Sequence, residues 1–141
     1  MKKIILGLFL LGLTQVASAT LVTLKINHTN NKSGKIAIAI FNDDRDFPNS
    51  GSILQLRVPV SSAQNSAEVK VELPEGHYAV AFFLDENGNN KMDKNILGIP
   101  KERFGFSNDP SILTGAPSFN ECEINVSDEN NEFSMKLIKL L

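Results

Sequence analysis

Asp85, Asn87, Asn89 and Asp93 carry oxygen-bearing side chains at spaced positions of a run that follows an apolar, strand-like stretch and has to turn sharply. Such spacing lets a chain offer several hard oxygen ligands to one Ca²⁺ ion. With Asp85 at position one, Asn87, Asn89 and Asp93 fall at three, five and nine, and the Lys91 carbonyl falls at seven. These are positions from which an EF-hand-type loop supplies oxygen. Asn90 stands at position six, where the backbone passes through positive φ and glycine is usual; asparagine is the next most tolerant residue there. Position twelve is Ile96, where a complete loop would carry a bidentate glutamate. Two carboxylates and about five protein oxygens fall short of the six to eight that Ca²⁺ takes. Water or an outside carboxylate must complete the shell, with Glu86, Asp43, Asp44, Asp46, Glu102 and Asp109 as candidates. So low a ligand charge implies weak binding, on the order of 10⁻⁴–10⁻³ M, which suits a structural ion outside the cell. The plain alternative is an Asn/Gly/Asp turn whose side chains bond their own backbone.

Other chemistry is sparse. The stretch Asn42 to Asp46 holds Asp43, Asp44 and Asp46 around Arg45 and follows the second strand as the Asp85 loop follows the fifth. Were those strands neighbours, both acidic loops would crowd one end of the fold; the simpler reading is a solvated loop with an Arg45 ion pair. His28 and His77 are the only histidines, and no Gly-x-Ser-x-Gly elbow, phosphate-cradling loop or His-Glu-x-x-His motif occurs. The expectation is therefore a protein that is not an enzyme. Cys122 is the single cysteine, in phase with Ile124 and Val126, and reads as a buried structural thiol.

The elements that would position the Asp85 loop are strands, because the apolar period is two nearly everywhere. Val22, Leu24 and Ile26 alternate with polar residues, as do Leu54, Leu56 and Val58, where Pro59 points to an edge strand. Val69, Val71 and Leu73 lead through the turn Pro74-Glu75-Gly76 into Tyr78, Val80, Phe82 and Leu84. Cys122, Ile124 and Val126 are expected to pair with Phe133, Met135 and Leu137 across the polar turn Ser127 to Asn131. The sum is an all-β, antiparallel β-sandwich of about seven strands, immunoglobulin-like or prealbumin-like.

Two strands depart from the polar-out rule. Ile36, Ile38 and Ile40 are separated by Ala37 and Ala39, and the fifth strand carries Ala79 and Ala81. Small apolar side chains imply that something packs closely over both. The segment Asn95 to Ser118, with Ile96, Leu97, Ile99, Phe104, Phe106, Ile112 and Leu113, is the natural cover; each large side chain buried there would contribute about 1.5–3 kcal/mol. The rival reading is an apolar groove for a small ligand or a partner's strand.

Residues 1–19 read as a secretion signal. Lys2 and Lys3 precede the apolar stretch Ile4 to Leu13, and Ala17-Ser18-Ala19 is a small-residue cleavage site. The expected product is one domain, residues 20–141, periplasmic or secreted, with no membrane insertion after cleavage. All 16 acidic residues and 12 of the 14 basic ones lie beyond the leader, for a formal charge of −4. Mild acidity without a basic cluster along the sequence argues against nucleic acid or anionic membranes as partners.

The block from Leu73-Pro74-Glu75-Gly76-His77-Tyr78-Ala79-Val80 through Asp85-Glu86-Asn87-Gly88-Asn89-Asn90-Lys91-Met92-Asp93 to Gly98-Ile99-Pro100, with Glu102 and Gly105-Phe106-Ser107-Asn108 after it, resembles the bacterial secreted family domain of unknown function 2141. The likeness spans the chain beyond the leader. It implies a small exported protein of Gram-negative bacteria with a compact β-fold and no established activity. Glycine is usual in that family where this chain has Asn90. The shorter stretch Leu73 to Val80 is also similar to prealbumin-like domains of peptidases and surface proteins. Together these observations lead us to expect an exported, Ca²⁺-stabilised binding or structural module of the bacterial envelope. The alternatives are a carrier of a small apolar ligand and a carboxylate-dependent hydrolase.

Overall fold

The computed structural model describes residues 17–141. The leader expectation falls on residues 1–19 and so lies almost wholly outside the described residues. Eight strands run in the order β1 (Ala19–Asn27), β2 (Gly34–Phe41), β3 (Leu54–Val60), β4 (Ser66–Pro74), β5 (Gly76–Asp85), β6 (Phe104–Phe106), β7 (Ile124–Val126) and β8 (Glu132–Lys136), with one helical turn, α1 (Phe119–Cys122), before β7. They form two sheets: β4-β1-β8, and β3-β2-β5-β6 with β7 paired to the start of β5. Among the described residues no helix is long and apolar enough to cross a membrane.

The alternation read from the sequence sets which residues meet between the sheets. Val22, Leu24 and Ile26 of β1, Ile36, Ile38 and Ile40 of β2, and Tyr78, Val80, Phe82 and Leu84 of β5 form one buried cluster with Met135 and Leu137. β3 is an edge strand, where Pro59 lacks an N–H without breaking the sheet. The Pro74-Glu75-Gly76 turn is a corner between sheets, since β4 and β5 belong to different ones. The Tyr78 hydroxyl crosses it to the Pro74 carbonyl at 2.7 Å, a tyrosine-corner bond that satisfies the one polar atom of a buried ring.

One expectation about pairing fails. β7 and β8 do not form a hairpin: β7 stays with β5, while β8 crosses to the other sheet and lies parallel to β1, Leu24 opposite Phe133 and Ile26 opposite Met135. The turn between them closes on itself, with Ser127 and Asn130 exchanging backbone bonds and the Asn130 amide donating to the Asn125 carbonyl at 2.7 Å. The chain then continues onto the Asn131 carbonyl, which accepts from Thr23 at 2.8 Å. The sandwich is therefore rich in antiparallel pairs but not wholly antiparallel. Cys122 is buried as expected but ends a helical turn, whose capping box joins Ser118 and Glu121. Burial, with Glu121 close by, pushes its thiol up to about 12, in keeping with an inert role.

The cover over the alanines is real but differently built. Ala39, Ala79 and Ala81 lie under Phe47, Phe106 and Phe119, which form a second cluster with Phe41 and Cys122. Phe47 meets Phe41, Phe106 and Phe119 edge-on at 5.0, 6.2 and 5.8 Å, the arrangement that ring quadrupoles favour. Only Phe106 of these three covering rings comes from the expected Asn95–Ser118 segment. Ile96, Leu97 and Leu113 of that segment are exposed. The segment also pairs where no ladder was foreseen: β6 runs along β5, Phe106 opposite Ala81 and Phe104 opposite Phe83. Gly105 faces inward there, and a Cβ on it would run into the Lys136 carbonyl and the Phe82 ring. Ser107, fully buried, receives the Val80 N–H on its Oγ at 2.9 Å and donates that hydroxyl to the Cys122 carbonyl, tying β5 to α1.

Candidate metal centre

Asp85 is the last residue of β5 and only 1% exposed. A carboxylate so placed must be satisfied by nearby donors. Its Oδ1 accepts from the Gly88 N–H at 2.9 Å and its Oδ2 from the Asn90 N–H at 2.8 Å. The same pattern repeats two residues apart: Asn87 Oδ1 accepts from Asn89 N–H at 3.1 Å and Asn89 Oδ1 from Lys91 N–H at 3.0 Å. Gly88 and Asn90 turn the chain at φ of 74° and 62°, as position six requires of Asn90. Gly34 makes room for this corner, since a Cβ on it would strike the Asp85 carbonyl.

Asp93 closes the loop. Its Oδ2 accepts from the Asn87 amide at 2.6 Å, and its Oδ1 and Oδ2 accept from the Asn89 amide at 2.8 and 3.0 Å. Those amides, Asn87 first, hold its carboxyl below the usual aspartate range. Beside it stands Glu102, 7% exposed, contributed by the segment that returns from the loop. Glu102 Oε2 accepts weakly from the Asp93 N–H at 3.4 Å, while Oε1 is buried with no partner. Burial is the main cause that raises the Glu102 carboxyl above its ordinary range, and repulsion from Asp93 and Asp85 adds to it. A polar cleft of about 360 Å³ opens here, between Glu86, Asp93 and Glu102 and the lysines Lys94, Lys101 and Lys139.

The fold thus brings Asp85, Asn87, Asn89, Lys91 and Asp93 into one tight loop and sets Glu102 against it. Among the described residues no three His, Cys, Asp or Glu side chains converge in the way a ready metal cage would. The amides offer no ready oxygens either: Asn87 and Asn89 present nitrogen to Asp93 and spend their oxygens on the backbone. A Ca²⁺ ion needs those oxygens turned inward, a rotation of each amide about its last side-chain bond. That rotation would give up the amide–carboxylate bonds to Asp93 and also the bonds that the two amide oxygens accept from the Asn89 and Lys91 N–H groups. One observation is of the kind that a cation would relieve: Glu102 Oε1 is an orphaned buried acceptor, which is a costly state.

Of the other carboxylates considered for the shell, Asp43, Asp44 and Asp46 lie at the far end of the sheet. β2 and β5 are neighbours but antiparallel, with Phe41 opposite Ala79 and Lys35 opposite Asp85, so the loops that follow them leave from opposite ends. The crowding considered for neighbouring strands therefore does not arise, and the simpler reading, a solvated loop with an Arg45 ion pair, holds. Asp43 instead pairs with Arg45 at 2.8 Å, and Asp109 accepts from the Lys136 N–H at 2.9 Å. Glu102 had no distinguishing mark among six candidates, because its approach depends on the return of the chain along Asp93. The buried roles of Ser107 and Gly105 were also unforeseen; their only signal was a polar residue and a glycine set among phenylalanines.

A search of the curated proteins and a search of solved structures each give no match. A model of the family described as an uncharacterised protein conserved in bacteria, DUF2141, matches residues 24–134, which takes in β2 to β7 whole, parts of β1 and β8, the Asp85 loop and Glu102. The chain belongs to the DUF2141 family.

Proposed function

We propose that the protein is an exported, non-enzymatic β-sandwich of the bacterial envelope in which Ca²⁺ bound at Asp85, Asn87, Asn89, the Lys91 carbonyl and Asp93 fastens the loop after β5 to its return segment, steadying a surface that binds another envelope component. The observation that carries this reading is the unpartnered, buried Oε1 of Glu102 beside the loop. It supplies the carboxylate that the loop lacks at position twelve. A third carboxylate still leaves a site completed by water, so the affinity remains in the range of extracellular modules, on the order of 10⁻⁴–10⁻³ M. Calorimetric titration of the processed chain with Ca²⁺, beside Asp93→Ala and Glu102→Gln, tests it. Wild type should give a saturable heat and both variants none. Equal melting temperatures in calcium and in chelator would remove the ion from the account.

A second reading has one observation in its favour. Asp93 and Glu102 are neighbouring carboxyls whose environments push them in opposite directions, the pattern of an ionised and a protonated group in acid–base hydrolysis. Turnover of chromogenic glycosides or esters, abolished by Glu102→Gln in the presence of chelator, would favour it over the metal. For the third, an apolar carrier with its groove above Ala37, Ala39, Ala79 and Ala81, the support would be open space there, and three phenyl rings stand against Ala39, Ala79 and Ala81.

A further inference from the structure

We propose that the hairpin running from Asp93 to Lys101 docks the protein onto an anionic lipid surface, with Ile96 and Leu97 entering the headgroup layer. Its charge balance rests on the calcium reading above; its apolar tip does not. The hairpin is short and fully formed. Lys101 N–H donates to the Asp93 carbonyl at 2.8 Å, Lys94 bridges Pro100, and Asn95 N–H donates to the Ile99 carbonyl at 2.9 Å. At its tip Ile96 and Leu97 are 103% and 77% exposed. One neighbouring pair of large aliphatics held so far from the body has no packing role in the fold.

Part of the tip's backbone is also satisfied internally. Asn95 Oδ1 accepts from Leu97 N–H at 2.9 Å and from Ile99 N–H at 3.0 Å, and the Asn95 carbonyl accepts from Gly98 N–H at 2.9 Å. Three amides that would otherwise need water are thus paired internally, which lowers the cost of bringing the tip to a less polar layer. Charge supplies the choice of surface. Lys94, Lys101 and Lys139 share the cleft at the hairpin base, and Lys91 sits in the adjoining loop. The sequence scatters these four lysines; the fold collects them. Among the described residues none of them makes an ion pair, the only pairs being Arg45–Asp43 and His77–Glu123. They balance Asp85, Glu86, Asp93 and Glu102 at the same end, so a bound Ca²⁺ leaves that end net positive, the charge that anionic headgroups attract.

The test is sedimentation of the processed chain, Thr20–Leu141, which holds both sheets, with vesicles of equimolar phosphatidylglycerol and phosphatidylethanolamine or of phosphatidylcholine alone. Each is run in millimolar Ca²⁺ and in chelator, with calcium calorimetry on the same samples. The expected result is binding to the anionic vesicles in calcium, weaker in chelator, and none to phosphatidylcholine. Ile96→Ser/Leu97→Ser should lower the partition by about tenfold or more and leave the calcium heat and melting temperature unchanged. Lys94→Ser/Lys101→Ser should lose the preference for anionic lipid. Equal sedimentation with both vesicle types, or a double serine variant that binds like wild type, overturns the docking. A calcium heat without vesicle binding does so while sparing the metal reading. Vesicle binding through Ile96 and Leu97 without any calcium heat upholds the docking and rejects the metal.

Discussion

The two acidic loops of this protein sit at opposite ends of one sheet and solve the same problem differently. The loop after β2 settles its charge locally: Arg45 pairs with Asp43 through side chain and backbone, at 2.8 and 3.0 Å. It is anchored by apolar contact, with Phe47 folded onto Phe41 and Phe119. The loop after β5 has no such hydrophobic anchor in its turn and instead hangs on a buried carboxylate, Asp85, with a second, Glu102, left half satisfied. An ion pair in solvent adds little because water competes for both partners. A buried carboxylate holding two backbone amides governs the local conformation because nothing replaces it. The contrast teaches that counting acidic residues does not tell the loops apart: each holds three, and only the second buries one of them.

The sharpest way to break the comparison is to remove one carboxylate from each loop. Asp85→Ala orphans the Gly88 and Asn90 amides and should cost about 3 kcal/mol, roughly 10 °C in melting temperature, in chelator, and more in calcium, where the variant also loses a ligand. Asp43→Ala should leave the thermal melt unchanged. If the two variants melt alike, the distinction between the loops has no energetic content.

A smaller effect tests the ion itself. Calcium at about ten times its Kd should stabilise wild type by about 1.4 kcal/mol and Glu102→Gln not at all. The same side chain sets a pH trend in chelator. The folded-state value of Glu102 is raised, chiefly by burial, so the native state holds that proton more tightly than the unfolded chain. Its contribution is greatest below the ordinary glutamate value, about 4.3, and is lost as pH rises through the folded value. Asp93, held low by Asn87 and Asn89, acts oppositely, its contribution being present above the ordinary aspartate range and lost as pH falls. In chelator the melting temperature should therefore decline on the alkaline side of pH 4.3 for wild type, and Glu102→Gln should flatten that decline.

Much of this was legible in the sequence wherever one residue's neighbours decide its conformation. The alternation of β1, β2 and β5, the edge position of Pro59, and positive φ at Asn90 all follow from side-chain period and local sterics. What was not legible depends on where distant segments return. β8 reads as the second arm of a hairpin until its apolar face is offered the bare side of β1. The alanine faces of β2 and β5 predicted a cover, yet two of its three covering rings, Phe47 and Phe119, come from outside the segment richest in apolar residues. Glu102 is the same lesson at the candidate site: the loop's own spacing announced oxygens, but the buried carboxylate beside it arrives by tertiary return and shows itself only as an unpaired buried atom.

The finest distinction concerns Asn90, the residue that stands where glycine is usual in the loop. Its φ of 62° lies in the left-handed region, which costs most residues roughly 1–2 kcal/mol and asparagine less. Asn90→Gly should therefore be close to neutral, because relief of that small strain is offset by the greater freedom of glycine in the unfolded chain. Asn90→Ala lacks both compensations and should cost about 1 kcal/mol. The contact between Arg57 Nη2 and the Asn90 carbonyl, at 3.5 Å, involves only backbone at position 90, so it survives both changes and leaves φ as the variable. Should Asn90→Gly instead weaken calcium binding severalfold, the asparagine side chain would be contributing more than tolerance of the turn. The loop after β5 would then owe its geometry to a sixth side chain, and not to the spacing of the other five residues alone.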